Sequence, residues 1–541
     1  MSEEKKVELD DKLKGIKEKL IEKEYVLTWD NDDKGSSFKV AKKEWDSTLW
    51  KENGLQESNK WPHNSLWIRK EDEKYICELA WWAVKKYNED RGLKAENCVS
   101  VFIKALVEVC RIRWDKSQES PKFKASDQSG IRIRIAELSD SGDETKFVND
   151  IVAWEKSNMQ DFIYIQDEMK KGKDEIEIEN IKQRLIKEIQ MKEYIDLLLN
   201  NHNIILHGAP GTGKTYLAKE IAEKILHCTP EQTGFVQFHQ SYDYTDFVEG
   251  LRPCQKKDAD LKKEDNANSE KEDESTKIDF ELKPGVFKIF CEKALNDINT
   301  SVDISIADVK YKIKKPFVFI IDEINRGEMS KIFGELFYSI DPGYRVTSED
   351  LDKDPKPFTI QTQYSNLQDE ANEFDKKLKI TDKDNFGHFF VPENVYIIGT
   401  MNDIDRSVES MDFAMRRRFA FKEIAPKDTR DSMFNNPNSW GVEKKIPDCI
   451  EDIKNRMADL NEEICKENSN LGSSYQIGGA YFLKFTNYYN GNNKEYAFDQ
   501  LWENHIEGVI KEYLRGMDDS REKLKTLAER YKYSKCNERY K

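Results

Sequence analysis

Short, uninterrupted apolar runs mark the second half of the chain. Ile204-Ile205-Leu206, the stretch 317–321 (Phe-Val-Phe-Ile-Ile) and the stretch 395–398 (Val-Tyr-Ile-Ile) each give way at once to glycine or polar residues. Runs of that length predict strands covered on both faces, as in a parallel sheet. Residues 234–239 form a further strand-like segment, and from 214 to about 227 apolar positions recur at helical spacing. The order strand, glycine loop, helix therefore opens this region. From about residue 426 onward the pattern is mostly helical, and no internal repeat is present.

Upstream the pattern changes. Residues 1–24 are a Lys- and Glu-rich helical lead-in, expected to be a solvated helix or arm. Between 25 and 154 lie nine of the eleven tryptophans, including Trp67, Trp81, Trp82 and Trp154. There, 76–87 and 99–110 carry apolar residues at helical spacing, whereas 130–136 alternates like a strand. This predicts a separate α+β module. A charged helical stretch over 161–200 connects it to the glycine-loop region. Residues 255–279 are dominated by Lys, Asp, Glu, Asn and Ser, cannot bury a core, and read as a disordered surface insertion. The expected organisation is a Trp-rich module at 1–160, a connector at 161–200, a core with the glycine loop at 201–425 and a helical region at 426–541.

Composition narrows the function classes. At 541 residues with 35% charged side chains and a formal charge of −16, the chain is long enough for several cores and too acidic to coat nucleic acid indiscriminately. No apolar run approaches a membrane span, and the start, Met1-Ser-Glu-Glu-Lys-Lys, is unlike a signal peptide. Nine cysteines without C-x-x-C spacing, and seven histidines without metal-ligand spacing, suit a reduced cytoplasmic setting.

The chemistry sits where the strands end. Gly208-Ala209-Pro210-Gly211-Thr212-Gly213-Lys214-Thr215 is a phosphate-binding loop between strand and helix. Its glycines let backbone N–H groups turn toward phosphates, Lys214 reaches the outer phosphates, and Thr215 can hold Mg²⁺. With Tyr216 beside them, these residues form the candidate nucleotide-binding set. The run 317–321 ends in Asp322 and Glu323. Asp322 is the expected Mg²⁺ partner, and Glu323 the group that orients and polarises the attacking water. The third strand ends in Asn402, followed by Asp403-Ile404-Asp405-Arg406-Ser407 and, shortly after, by Arg416, Arg417 and Arg418. Three consecutive arginines suit a finger donated to a neighbour's γ-phosphate; a solvated or nucleic-acid-facing basic cluster is the bland alternative.

These motifs, in this order, resemble those of AAA+ ATPases, and more specifically the McrB family, the GTP-driven subunits of modification-dependent restriction systems. The likeness rests on residues 236–253, on 322–336 (Asp-Glu-Ile-Asn-Arg-Gly-Glu-Met…), on Gly399-Thr-Met-Asn-Asp-Ile-Asp-Arg-Ser407, and on the lid motif at 475–483. It covers about residues 185–541. It implies an α/β AAA+ domain with a parallel sheet and a C-terminal helical lid, a homo-oligomeric ring that is commonly a hexamer, GTP rather than ATP, and a separate McrC-like nuclease. The phosphate machinery itself serves either purine. The resemblance assigns water positioning to Asn402 and Asp405, and places the finger among Arg416, Arg417 and Arg418. Two departures stand out: the family usually reads Met-Asn-Thr-Ala-Asp-Arg-Ser where this chain has Asp403-Ile404, and His-Ser where it has Gly479-Ala480.

Asp448, Asp452 and Lys454 superficially mimic a nuclease centre, but their spacing is too short and they fall on a lid helix, so cleavage is expected from the partner. The tryptophans suit an aromatic pocket for a flipped, modified DNA base, with Arg111, Arg113, Lys116, Lys122, Lys124, Arg132 and Arg134 as phosphate contacts, or else a conventional aromatic core. Two other function classes compete: an ATP-driven remodelling machine acting on proteins, and a nucleotide-gated scaffold. Glu323 and Asn402 argue against the scaffold.

Overall fold

The computed structural model describes residues 11–30, 37–42, 50–51, 54–55, 64–71, 74–82, 105, 109, 124–126, 130–139, 142–169, 175–255, 278–306, 309–368, 370–404, 413–435, 449–489 and 491–532. The chain divides into two units, Met1–Lys192 with Ile306–Val309, and Glu193–Ser305 with Lys310–Lys541.

Alternation builds the first unit. Strands β1 (Val26–Asp30), β2 (Ser37–Ala41), β3 (Asn64–Glu71), β4 (Lys74–Trp82), β5 (Lys124–Ser126) and β6 (Gly130–Ser139) form an antiparallel sheet in the order β1-β2-β3-β4-β6-β5. The strand expected at 130–136 is therefore present. The helix expected over 76–87 is replaced by strand over 76–82, which pairs with β3 and β6 as the middle of the sheet, and residues 83–87 lie outside the described residues. Tyr75, Cys77 and Leu79 point to one face and are buried, and Ile76 is buried as well. Burial on both faces produces an apolar run that resembles helical spacing when read without partners. Of the stretch 99–110 only Ala105 and Val109 are described, both helical and buried.

Over residues 11–24, its described part, the lead-in is not a solvated arm. In helix α1 (Asp11–Glu22), Leu13, Ile16 and Leu20 fall on one face and are fully buried, in the same core as Phe147 and Ile151 of helix α2 (Glu144–Met169). Burying three such side chains favours docking by about 5 kcal/mol before entropy is counted. Helix α3 (Glu175–Asn201) adds Ile178 and Leu185 to that core.

The second unit carries a five-stranded sheet of β7 (Asn203–Gly208), β8 (Thr233–Gln237), β9 (Phe317–Asp322), β10 (Val395–Asn402) and β11 (Ala420–Glu423), ordered β8-β9-β10-β7-β11. Every pairing is parallel. All five strands thus end at one edge, the edge where ligands bind in open α/β sheets. Five of six β9 residues are buried, so the apolar run read as a doubly covered strand is one. Helix α4 (Lys214–Glu220) follows the glycine loop, and helix α5 (Val286–Asn296) covers the sheet with Phe287, Phe290 and Cys291. The insertion read as disordered lies, over 256–277, outside the described residues; its flanks, Glu249–Gln255 and Ile278–Pro284, pair as an antiparallel hairpin. The lid is helical, from Pro426–Asn435 through Ile450–Ile464 to Ser520–Lys532, around a core that includes Phe482, Phe498, Leu501 and Tyr531. Among the described residues, no helix is long and apolar enough to cross a membrane.

One buried polar knot ties the start of β7 to the rest of this unit. Asn203 donates to the carbonyls of Ile340 (2.6 Å) and Arg418 (2.9 Å) and accepts from the Arg345 guanidinium (2.6 Å). Burial pulls the Arg345 pKa down to about 10. Burial and then the Arg345 charge push neighbouring His202 down to about 4.

The knot can be tested at two of its residues. Asn203→Ala removes one acceptor and two donations in a dry site, and is expected to lower stability by about 3 kcal/mol, read as a lower urea midpoint with unchanged slope. His202 is neutral when folded and binds a proton more readily when unfolded, so stability is lost as pH falls from 6.5 toward 4. His202→Gln should reduce that acid loss in thermal melts taken across the same window.

Candidate nucleotide site

The glycine loop takes up backbone conformations that side chains resist. Gly208, Gly211 and Gly213 have φ of 141°, 76° and 83°, values open to glycine and costly to other residues. Thr212 Oγ1 donates to the Ala209 carbonyl at 3.1 Å and braces the turn. Lys214 is 6% exposed, and its ammonium donates to the carbonyls of Ala209 (2.7 Å) and Gly208 (3.2 Å). The lysine therefore stands inside the loop it is expected to serve, on the phosphate side of the helix N-terminus.

Parallel pairing brings the acids to that loop. Asp322 Oδ1 accepts from Thr215 Oγ1 and from Thr400 Oγ1, both at 2.6 Å. Glu323 lies one residue beyond β9 with φ of 51°, a left-handed conformation unusual for a non-glycine residue and frequent at functional sites. Its N–H donates to Thr400 Oγ1 at 3.3 Å, and its Oε1 accepts from Asn402 Nδ2 at 2.8 Å. Arg326 Nε lies 3.3 Å from Glu323 Oε2. The structure thus brings together Lys214, Thr215, Asp322, Glu323 and Asn402. Asp405, with Arg406 and Ser407, lies outside the described residues.

The arginines separate. Arg418 is 8% exposed; its Nε donates to the Phe337 carbonyl at 2.6 Å, which commits it to the fold. Arg416, at the end of the short helix α6 (Phe413–Arg416), and Arg417 are exposed, with the Arg416 guanidinium 5.7 Å from the Phe421 ring centre. Of the three arginines, only Arg416 and Arg417 retain the exposure a finger needs.

Several participants escaped the sequence reading. Thr400 lies two residues before Asn402, hence on the same side of β10, a signal that strand periodicity could have supplied. Arg326 is three residues beyond Glu323. The lid's contact with the loop was invisible to side-chain motifs because it runs through main chain: Gly478 N donates to Pro210 O and Ala480 N to Gly211 O, both at 3.0 Å. A contact made by main chain asks for no polar side chain at Gly479 or Ala480. A Cβ on Gly478 would come within 2.1 Å of the Gly211 backbone, and one on Gly479 within 2.8 Å of Met433 Sδ. Asp452 and Lys454, the nuclease mimics, are engaged elsewhere, Asp452 with Lys494 at 2.6 Å and Lys454 with Asp431 at 3.0 Å. Pro447 and Asp448 lie outside the described residues.

Of the nine tryptophans between 25 and 154, the side chains of Trp67 and Trp154 are described. Trp154 packs against the first unit's core, and Trp67 is half-buried with Lys39 and Arg69 each 5.2 Å from its ring centre. Trp45, Trp61 and Trp114, and Arg111, Arg113, Lys116 and Lys122, lie outside the described residues, as do the side chains of Trp81, Trp82, Lys124, Arg132 and Arg134.

Comparison with known proteins agrees with this geometry. Residues 203–419 match the AAA domain of the dynein-related subfamily, and residues 452–522 match the alpha-helical lid domain of McrB. The chain is 33% identical over 301 residues to the Type IV methyl-directed restriction enzyme EcoKMcrB subunit of Escherichia coli (strain K12), a match covering 55% of this chain and 50% of that protein. It is 26% identical over 295 residues to the Type II restriction enzyme BsuMI component YdiS of Bacillus subtilis (strain 168), covering 54% of this chain and 75% of that one. The matches thus span about half the length of the first relative and three-quarters of the second. A solved structure of a putative ATPase from Cytophaga hutchinsonii is 10% identical, covers 69% of this chain and 97% of its own, and has a TM-score of 0.21, too low to bear on the fold. The chain thus carries an AAA domain followed by a McrB-type helical lid, and over these two domains it is similar to McrB.

Proposed function

We propose that this chain is a GTP-hydrolysing subunit of a ring, commonly a hexamer, in a cytoplasmic DNA restriction or antiviral defence system whose cuts are made by a separate McrC-like nuclease. The observation that carries the hydrolytic part is the linked cluster Thr215–Asp322–Thr400 and Glu323–Asn402 at the mouth of the glycine loop. Kinship with one protein named as a restriction enzyme subunit and another named as a restriction enzyme component supports the restriction setting and a partner.

The roles rest on chemistry. Backbone N–H groups of residues 208–215, Pro210 excepted, and the Lys214 ammonium hold the phosphates, with Tyr216 next to them on α4. The hydroxyl of Thr215 and the carboxylate of Asp322 share a hydrogen bond and are hard oxygen donors, the set that suits Mg²⁺, and these two residues would hold it. When bound, that ion neutralises charge developing on the phosphate oxygens. Glu323 takes a proton from water as the water oxygen attacks the γ-phosphorus, and the nucleoside diphosphate leaves. Asn402 holds the Glu323 carboxylate and, with Asp405, positions the water. Arg416 or Arg417 of the adjacent subunit supplies positive charge to the transition state. GTP is preferred by family likeness, since the phosphate-binding set accepts either purine. The first unit reads DNA, modified or not; the half-buried Trp67 ring flanked by two cations is the kind of surface on which a base could stack.

Glu323→Gln should bind nucleotide normally and lose at least about a hundredfold in kcat, while Lys214→Ala should lose binding itself. The wild type should turn over GTP faster than ATP; faster ATP turnover would remove the purine assignment. Incubated with DNA and Mg²⁺, the purified chain should leave the DNA intact. Mixing Glu323→Gln with Arg416→Ala or with Arg417→Ala should restore hydrolysis to one of the two pairs, because some interfaces then combine an intact Glu323 with an intact arginine from the next subunit. No recovery in either mixture would place the arginine and the glutamate in one chain.

A further inference from the structure

The last side chain of β7 before the glycine loop is a histidine aimed at the neighbouring strand. His207 Nδ1 lies 3.0 and 3.1 Å from the two carboxylate oxygens of Asp403. A carboxylate only accepts, which assigns the proton of this contact to Nδ1. The imidazole is 24% and the carboxylate 16% exposed, so the pair is largely withdrawn from water. On its other side the imidazole meets the Phe421 ring edge-on, with centres 5.8 Å apart.

The two partners differ in how firmly they are held. The His207 backbone is fixed between Met401 of β10 and Glu423 of β11, and its carbonyl accepts from Ile424 N at 2.8 Å. Parallel pairing of β10 with β7 stops at Asn402 opposite Gly208. Asp403 is the first residue past that ladder, held by its N–H to Gly208 O at 3.2 Å and by the imidazole. Directly before it, Asn402 donates to Glu323. An unbroken path therefore runs from the P-loop strand through His207 and Asp403 to Asn402 and Glu323.

We propose that His207 is a positioning residue for hydrolysis: by clamping Asp403 it fixes the tip of β10, and thereby the Asn402 amide against Glu323. This rests on the hydrolytic roles proposed for Asn402 and Glu323. The side chains of the clamp are not among the groups proposed to bind phosphate or to position the water. The clamp governs the chemical step and leaves nucleotide affinity alone.

Steady-state hydrolysis and binding of a non-hydrolysable triphosphate by the full chain test it. His207→Ala and Asp403→Thr should each lower kcat about tenfold, with KM and the analogue Kd within about twofold, and the double variant should be no worse than either single. Asp403→Asn keeps an acceptor for Nδ1–H, and His207→Gln keeps a donor; both should stay within about threefold of wild-type kcat. If Asp403→Thr melts early, His207→Ala against His207→Gln carries the comparison. Unchanged kcat in His207→Ala, additive losses in the double variant, or an equal loss of affinity each overturn the proposal. Wild-type turnover abolished by Glu323→Gln would leave the hydrolytic reading standing whatever His207 does.

Discussion

One carboxylate oxygen holds the candidate site together. Asp322 Oδ1 accepts from Thr215 at the start of the P-loop helix and from Thr400 on the adjacent strand, so three elements remote in sequence meet within hydrogen-bond reach. The meeting is possible because β9, β10 and β7 are parallel neighbours whose ends coincide, register by register. A slip of one residue in β10 would turn Thr400 and Asn402 to the opposite face and take from Asp322 and Glu323 the hydrogen bonds that β10 supplies. Close packing of the fully buried Ile397 and Ile398, opposite Phe319 and Ile320, opposes that slip. Register in the core thus sets the chemistry at the edge.

The lid bears on the same loop by a different route. Its contacts with Pro210 and Gly211 are main-chain hydrogen bonds across a surface of glycines, backed by Tyr481, whose ring would collide with any Cβ on Gly211. Behind them Asn461 exchanges hydrogen bonds with both backbone groups of Ile477, which anchors the motif to the lid helix Ile450–Ile464. Such close backbone approach excludes most side chains at Gly478 and Gly211. It also means that shifts in the loop reach the lid core through two short bonds, without a long flexible side chain to absorb them.

What could be read in advance divides along physical lines. Doubly buried parallel strands and a glycine loop are local signals, and β7, β9, β10 and the P-loop were legible from spacing alone. So were Asp322, Glu323 and Asn402, because each sits at the end of such a strand. The expected helix failed over 76–82 because apolar periodicity is ambiguous for so short a stretch; pairing with β3 and β6 decided it, and pairing is not local. The lead-in helix was misjudged because its three buried positions are outnumbered by Lys and Glu, whose long stems lie beside a core they do not enter. The division of labour among Arg416, Arg417 and Arg418 was equally hidden, since identical side chains differ here only in which one meets the Phe337 carbonyl.

That division has a structural cause at the far end of the P-loop strand. Asn203 donates to the Arg418 carbonyl, and the Arg418 guanidinium donates to Phe337, so the residue after Arg417 is pinned from both backbone and side chain. Pinning shortens the free lever on which Arg416 and Arg417 stand. A finger that must reach a neighbour's phosphate gains from such a base, because each rotamer frozen only on contact costs conformational entropy at the moment of reaction. Asn203 opens β7 and His207 all but closes it. One strand therefore fixes the base of the exposed arginines at its start, and the tip of the Asn402 strand at its end, with the P-loop immediately beyond.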